Sequence, residues 1–154
     1  FGMSFADLIK FGIGLNVTAG IGAFGFAWLD DSWGSKKVIL VSLTVLTFLS
    51  LGMLIVTDIF HFWVIGLSLG IFIGPAQSAS RSMMAHLAPP EIRTEMFGLY
   101  ALSGKATAFM GPMLVGGLTL MADSQRVGMS AILAFFIVGG VMLLMVPERR
   151  ATVA

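Results

Sequence analysis

Residues 38–56 carry no charged side chain, and their only polar side chains are the hydroxyls of Ser42, Thr44, Thr47 and Ser50. Wound as a helix at about 1.5 Å per residue, such a stretch reaches across most of a hydrocarbon layer roughly 30 Å thick. The bilayer offers the backbone no water, so a spanning segment has to bond its own amides and carbonyls. Four further stretches of comparable length and apolarity, 5–29, 62–87, 96–121 and 127–146, flank it. The sequence therefore predicts an all-α, polytopic transmembrane helical bundle of five spans, with the lipid bilayer as its first partner. Residues 38–56, the cleanest of the five, are expected to face lipid.

Composition narrows the function classes. The chain is 57% hydrophobic and 11% charged, whereas soluble domains average about 25% charged. A net charge of +1 leaves no concentrated basic face for nucleic acid. With no Cys there is no disulfide framework, no thiolate zinc site and no thiol nucleophile. His61 and His86 sit at loop edges without acids clustered around them at depth, so neither metal, cofactor nor enzyme activity is expected. Phe1 stands where an initiator would, and no basic segment precedes an apolar core, so no signal peptide is expected and the chain reads as a piece of a longer protein.

The chemistry concentrates in two spans and the polar loop between them, Gly74 to Pro112. Arg81 lies about 9 Å along a helix from its end near Leu87, within reach of the interface by snorkelling. Lys105 lies about 14 Å from a helix start near Met96, close to the middle of the layer. A charge there costs roughly 2.5 to 3.5 kcal/mol even on lenient scales, which makes Lys105 a functional-site hypothesis and a structural bond to Gln77, Ser78 or a carbonyl its rival. If the two spans pack antiparallel, Lys105 and Arg81 present two cations to one anionic or zwitterionic solute. Gln77, Ser78, Tyr100, Ser103 and Asn16 are the neutral hydrogen-bonding candidates. No carboxylate falls in the middle of a span, so a proton relay is not visible in this stretch.

Glycine and proline punctuate the same spans. Gly66, Gly70 and Gly74 recur every fourth residue, placing three bare Cα atoms on one helix face where another helix can approach. Gly74-Pro75 and Gly111-Pro112 are expected to break or kink their helices, as interrupted spans do around transporter sites. Asp7 and Lys10 are spaced to pair on one face near a helix end. Gly34 in the turn 30–37 is free to adopt a positive φ. The loops at 30–37, 86–95 and the C-terminus hold Lys36, Lys37, Arg93, Arg149 and Arg150, and the opposite loops hold only Arg126. The positive-inside rule then puts the first group in the cytoplasm and the N-terminus outside.

The turn DDSWGSKK resembles the loop motif of the major facilitator superfamily, approximately G-x-L-A-D-R-x-G-R-K-K. Asp31, Gly34, Lys36 and Lys37 match, while Ala27, Ser32 and Ser35 depart from it. The resemblance implies that Asp31 helps lock the inward-closed state through charge contacts to neighbouring helix ends. The linked series GPAQSASRSMMAHLAPP, EMFGLYALSGKATAFMGP and SQRVG resembles the C-terminal half of the autophagy-related vacuole effluxer-like family of that superfamily, on Gln77, Ser80, Arg81, Ser82, Pro89-Pro90, Phe97, Gly98, Tyr100, Gly104-Lys105, Gly111-Pro112 and Gln125-Arg126. It implies a twelve-span protein of which residues 1–154 are spans eight to twelve, with the N-terminal half as partner. It implies alternating-access transport of a small solute, with amino-acid efflux as the activity suggested for the fungal vacuolar members. A bacterial cytoplasmic membrane is the expected location. A membrane scaffold or receptor-like module of the same fold is the alternative.

Overall fold

A computed structural model describes residues 2–147, in which α1 (Phe5–Trp33), α2 (Ser35–Ile55), α3 (Ile59–Leu87), a 3-10 turn (Pro90–Ile92), α4 (Arg93–Ala122) and α5 (Gln125–Met145) follow in order. Five helices match the five expected segments. Arg149 and Arg150, on which the sidedness reading partly rests, lie outside the described residues. The fold divides after Ser80 into two compact units.

In the first unit, α1 opens with a reciprocal cap. The Ser4 hydroxyl accepts from the Asp7 amide at 3.3 Å, and the Asp7 carboxylate accepts from the Ser4 amide at 3.2 Å and the Ser4 hydroxyl at 2.7 Å. Lys10 completes the expected pair, its Nζ 3.7 Å from Asp7 Oδ1. The helix does not stop at residue 29. It continues through Asp30 and Asp31 to Trp33, and the expected eight-residue turn shrinks to Gly34. The reason is local: Gly34 adopts φ 90° and donates to the Asp30 carbonyl at 3.0 Å, while its own carbonyl accepts from Lys37 and Val38. One glycine thus ends one helix and starts the next.

The glycine row behaves as its spacing predicts. Gly66, Gly70 and Gly74 are all buried. A Cβ on Gly66 would strike the Phe11 ring, one on Gly70 would lie 2.6 Å from the Leu15 carbonyl oxygen, and one on Gly74 would strike the carbonyl of Ala19. Contact residues rise together along the two helices, so α1 and α3 run parallel. From the other side Gly22 meets the Ile71 backbone, and a Cβ on Gly14 would come within 2.8 Å of Leu67 Cδ2. Rings close the seam at both ends: Phe11 lies 5.1 Å from Phe62 and 5.4 Å from Trp63, and Phe26 lies 5.7 Å from Phe72.

Helix α2 differs from the lipid-facing expectation. Val38, Ile39, Ser42 and Leu46 are buried, while Val41, Phe48, Leu51 and Ile55 are exposed. A helix packed on two neighbours has to turn one face inward whatever its composition, and an uncharged sequence does not reveal which.

The second unit is led by α4 and α5. Asp123 ends α4 in the left-handed region at φ 48°, its amide bonded to the Thr119 carbonyl, and α5 begins two residues later. Gly128 lets the helices close up: a Cβ there would lie 2.5 Å from the Val115 carbonyl oxygen and against the Thr119 side chain. Neither proline ends a helix, since α3 runs through Pro75 and α4 through Pro112. The expected breaks are therefore local losses of a backbone hydrogen bond inside continuous helices.

Helices α1, α2, α3 and α5 are long and apolar enough to cross a membrane. α4 is the longest at 30 residues, but Ser103, Lys105, Thr107 and Pro112 dilute its apolar sequence and it does not reach the same standard.

Candidate functional site

Lys105 sits within α4 twelve residues after Arg93, about 18 Å along the axis. Its side chain is exposed, and every residue from 101 to 110 is exposed with it. Among the described residues Lys105 forms no hydrogen bond or ion pair, and neither does Arg81, which is exposed on α3.

The neighbouring polar groups are arranged unevenly. On a continuous helix five residues turn through about 140°, so Tyr100 and Lys105 leave α4 on different faces. Ser103 and Thr107 share the Tyr100 face, and both bond back to their own helix, Ser103 to the Tyr100 carbonyl at 2.9 Å and Thr107 to the Ser103 carbonyl at 2.6 Å. Tyr100 stacks edge-on against Phe97 with ring centres 6.4 Å apart. On α3, Gln77 and Ser78 are exposed; the Ser78 hydroxyl reaches the Pro75 carbonyl at 3.3 Å, and Ser80 donates to the Ala76 carbonyl at 2.6 Å. Asn16 is exposed on α1 and donates to the Gly12 carbonyl at 2.8 Å. The hydroxyls and the Asn16 amide therefore satisfy themselves locally.

The helix junction holds a feature the sequence did not indicate. Asp31, the motif acid, is exposed in the last turn of α1, with Lys36 and Lys37 in the first turn of α2. It is Asp30 whose Oδ1 is buried without a hydrogen-bond partner among the described residues, and Ser42 Oγ is in the same condition. Two adjacent aspartates look alike in sequence; only the angular position on α1 separates them.

Between α2 and α3, Asp58 caps α3. Its Oδ2 accepts from the Phe60 amide at 3.2 Å, the His61 amide at 3.3 Å and His61 Nδ1 at 3.0 Å. The His61 ring and amide hold this carboxyl below its ordinary pKa. His61 is thus a capping partner at a helix end. No group of three or more His, Cys, Asp or Glu suited to a metal ion occurs among the described residues.

Four apolar helices of spanning length, with a lysine in the middle of a further helix that has no ion-pair partner among the described residues, define a multi-pass integral membrane protein. Comparison with known proteins refines that class. The family model described as vacuole effluxer Atg22 like matches residues 1–154, and the chain belongs to that family. It is 31% identical over 91 residues to the uncharacterized MFS-type transporter YxiO of Bacillus subtilis (strain 168), covering 59% of this chain and 21% of that protein. It is 32% identical over 76 residues to autophagy-related protein 22 of Cryptococcus neoformans, covering 49% of this chain and 14% of the relative. An uncharacterized membrane protein of Saccharomyces cerevisiae, YJR124C, is 26% identical over 116 residues, covering 70% of this chain and 26% of that protein. The chain therefore spans only a fraction of the length of these relatives. Since they come from a bacterium and from fungi, they do not place it in a bacterial inner membrane. No solved structure matches it.

Proposed function

We propose that residues 1–154 form spans eight to twelve, in the C-terminal half of a secondary transporter that moves a small solute by alternating access. α4 is the fourth span of this set, and its polar middle faces protein or water rather than lipid. The observation that carries the reading is Lys105, an exposed cation in the middle of a membrane helix with no counter-charge among the described residues. A position that expensive is kept neutral by an anionic or zwitterionic solute or by a group from the N-terminal half. Arg81 is the second cation, Gln77, Ser78, Tyr100 and Asn16 supply hydrogen bonds, and Asp31 with Gly34, Lys36 and Lys37 forms the cytoplasmic junction. Gly74-Pro75 and Gly111-Pro112 loosen the helices around the site. Amino-acid efflux is the activity to test first, and no enzymatic step is invoked.

The test is solute flux in vesicles holding the full-length protein, wild type against Lys105→Ala and Arg81→Ala, over amino acids and other small anions. Loss of flux in Lys105→Ala with normal insertion and folding supports the site. Unchanged flux in both variants removes it, and absence of flux for every solute in the wild type favours the scaffold or receptor-like module.

A further inference from the structure

Two buried side-chain oxygens in the first unit, Asp30 Oδ1 on α1 and Ser42 Oγ on α2, have no hydrogen-bond partner among the described residues. Ser42 lies on the buried face of α2 with Val38, Ile39 and Leu46, and is itself fully buried. Its hydroxyl does not turn back onto its own helix, as that of Thr44 does to the Leu40 carbonyl at 2.8 Å and that of Thr47 to the Leu43 carbonyl at 2.7 Å. It is aimed into the packed interior instead.

Helix geometry brings the two groups toward one another. Asp30 precedes Gly34 by four residues and Ser42 follows it by eight, about 6 Å and about 12 Å from the junction along two antiparallel helices. Side chains lean toward the start of their own helix, so that of Asp30 leans away from the junction and that of Ser42 back toward it, which narrows the difference. α3 passes at the same level. Gly22 meets the Ile71 backbone, and eight residues further along both helices stand Asp30 and Ala79. On the α2 side a Cβ on Gly52 would lie 3.5 Å from Ile65 Cδ1, and ten residues along that antiparallel pair stand Ser42 and Pro75. Pro75 and Ala79 are buried and bring no polar side-chain atom, and Pro75 has no amide. Ser78 and Ser80 are bonded to their own helix, and α1 has no basic residue in its last turn.

We infer that Asp30 and Ser42 are the protein oxygens of a binding site for one sodium ion where α1, α2 and α3 meet, with water completing the coordination. A buried charge is paired or bound to a metal ion. One buried carboxylate matches a single positive charge, whereas calcium gathers about six to eight oxygen ligands, several of them from acidic side chains. A cation accepts lone pairs from the carboxylate and the hydroxyl at once and so ties α1 to α2 inside the membrane layer. The site goes beyond the transport reading and does not depend on it.

The test is thermal unfolding of the full-length protein in detergent, with sodium chloride replacing choline chloride at constant ionic strength. The expected result is an apparent unfolding temperature that rises with sodium and saturates in the wild type, and that does not move with sodium in Asp30→Asn or Ser42→Ala. Asp31→Asn, which neutralises the exposed neighbour, keeps the rise. Without sodium, Ser42→Ala is at least as stable as the wild type, because there the hydroxyl has nothing to bind. A wild type that unfolds at the same temperature in sodium and in choline overturns the site, whether or not any variant folds. A rise kept in Asp30→Asn overturns the role of Asp30, and one kept in Ser42→Ala that of Ser42.

Discussion

The carbonyl of Ile71 points at the Cα of Gly22: a Cβ on Gly22 would overlap its oxygen, with the carbonyl carbon 2.7 Å away. Pro75 lies four residues after Ile71 and has no amide to offer, so this carbonyl has lost its helical donor. A bare Cα on α1 lets it approach and leaves room for a weak Cα–H contact. Gly22 and Pro75, far apart in the chain, belong to one device: the proline frees a carbonyl and the glycine accommodates it.

The seam between α1 and α3 is therefore intolerant of added atoms. Gly22→Ala and Gly74→Ala each force backbone against backbone and should destabilise the protein by about 1 to 3 kcal/mol, the usual range for overpacking. Gly12→Ala is the control, because nothing lies within 4 Å of its Cβ position. Alanine there should leave stability unchanged or raise it by up to about 1 kcal/mol through helix propensity. Unfolding of the full-length protein in detergent measures all three.

Gly128 plays the same part between α5 and α4. Gly128→Val should separate the helices at Val115 and Thr119, and crosslinking of cysteines placed at 120 and 127 should slow. Equal crosslinking in both proteins would show that the clamp is not set there.

These two seams differ in how readable they were. Gly66, Gly70 and Gly74 repeat every fourth residue, so their common face and its use follow from helix geometry. Gly22 and Gly128 have no such repeat, and nothing in their local sequence tells them from Gly12 or Gly20, which face open space. The five helical segments, the Asp7 to Lys10 pair and the positive φ of Gly34 were legible because each is a local property. The buried face of α2 and the choice of Asp30 over Asp31 were not, because each depends on the angle at which one helix meets another. For the candidate site, the divergence of Tyr100 and Lys105 was available from their five-residue spacing, whereas the local bonding of Ser103, Thr107 and Asn16 to their own helices required the fold.

Ser42 should be better as alanine. Its hydroxyl is fully buried and has no hydrogen-bond partner among the described residues, and an unsatisfied polar group costs about 1 to 3 kcal/mol. Ser42→Ala is therefore expected to stabilise the protein by about 1 kcal/mol. Destabilisation would show that the hydroxyl is bonded in the membrane-embedded protein.

The cap on α3 should respond to acid. The Asp58 carboxyl is held below its ordinary pKa by His61, so the ionised form is favoured in the folded state. Its contribution is fully present above the ordinary carboxylate range and is lost as pH falls through the lowered folded value. Protection of the Phe60 and His61 amides, taken relative to their intrinsic exchange rates, should fall over that interval in the wild type. In Asp58→Ala that protection should be low already at neutral pH and should not change with acid.

The claim at the centre of this account is that Lys105 lines a path reached by water rather than lipid. The most direct measurement is the reaction of Lys105→Cys, in the full-length protein in sealed vesicles, with a membrane-impermeant thiol reagent added to one side and then the other. The account predicts labelling from each side, slowed by the transported solute. A cysteine at 105 that reacts from neither side, while one at exposed Asp31 reacts in the same vesicles, would contradict it.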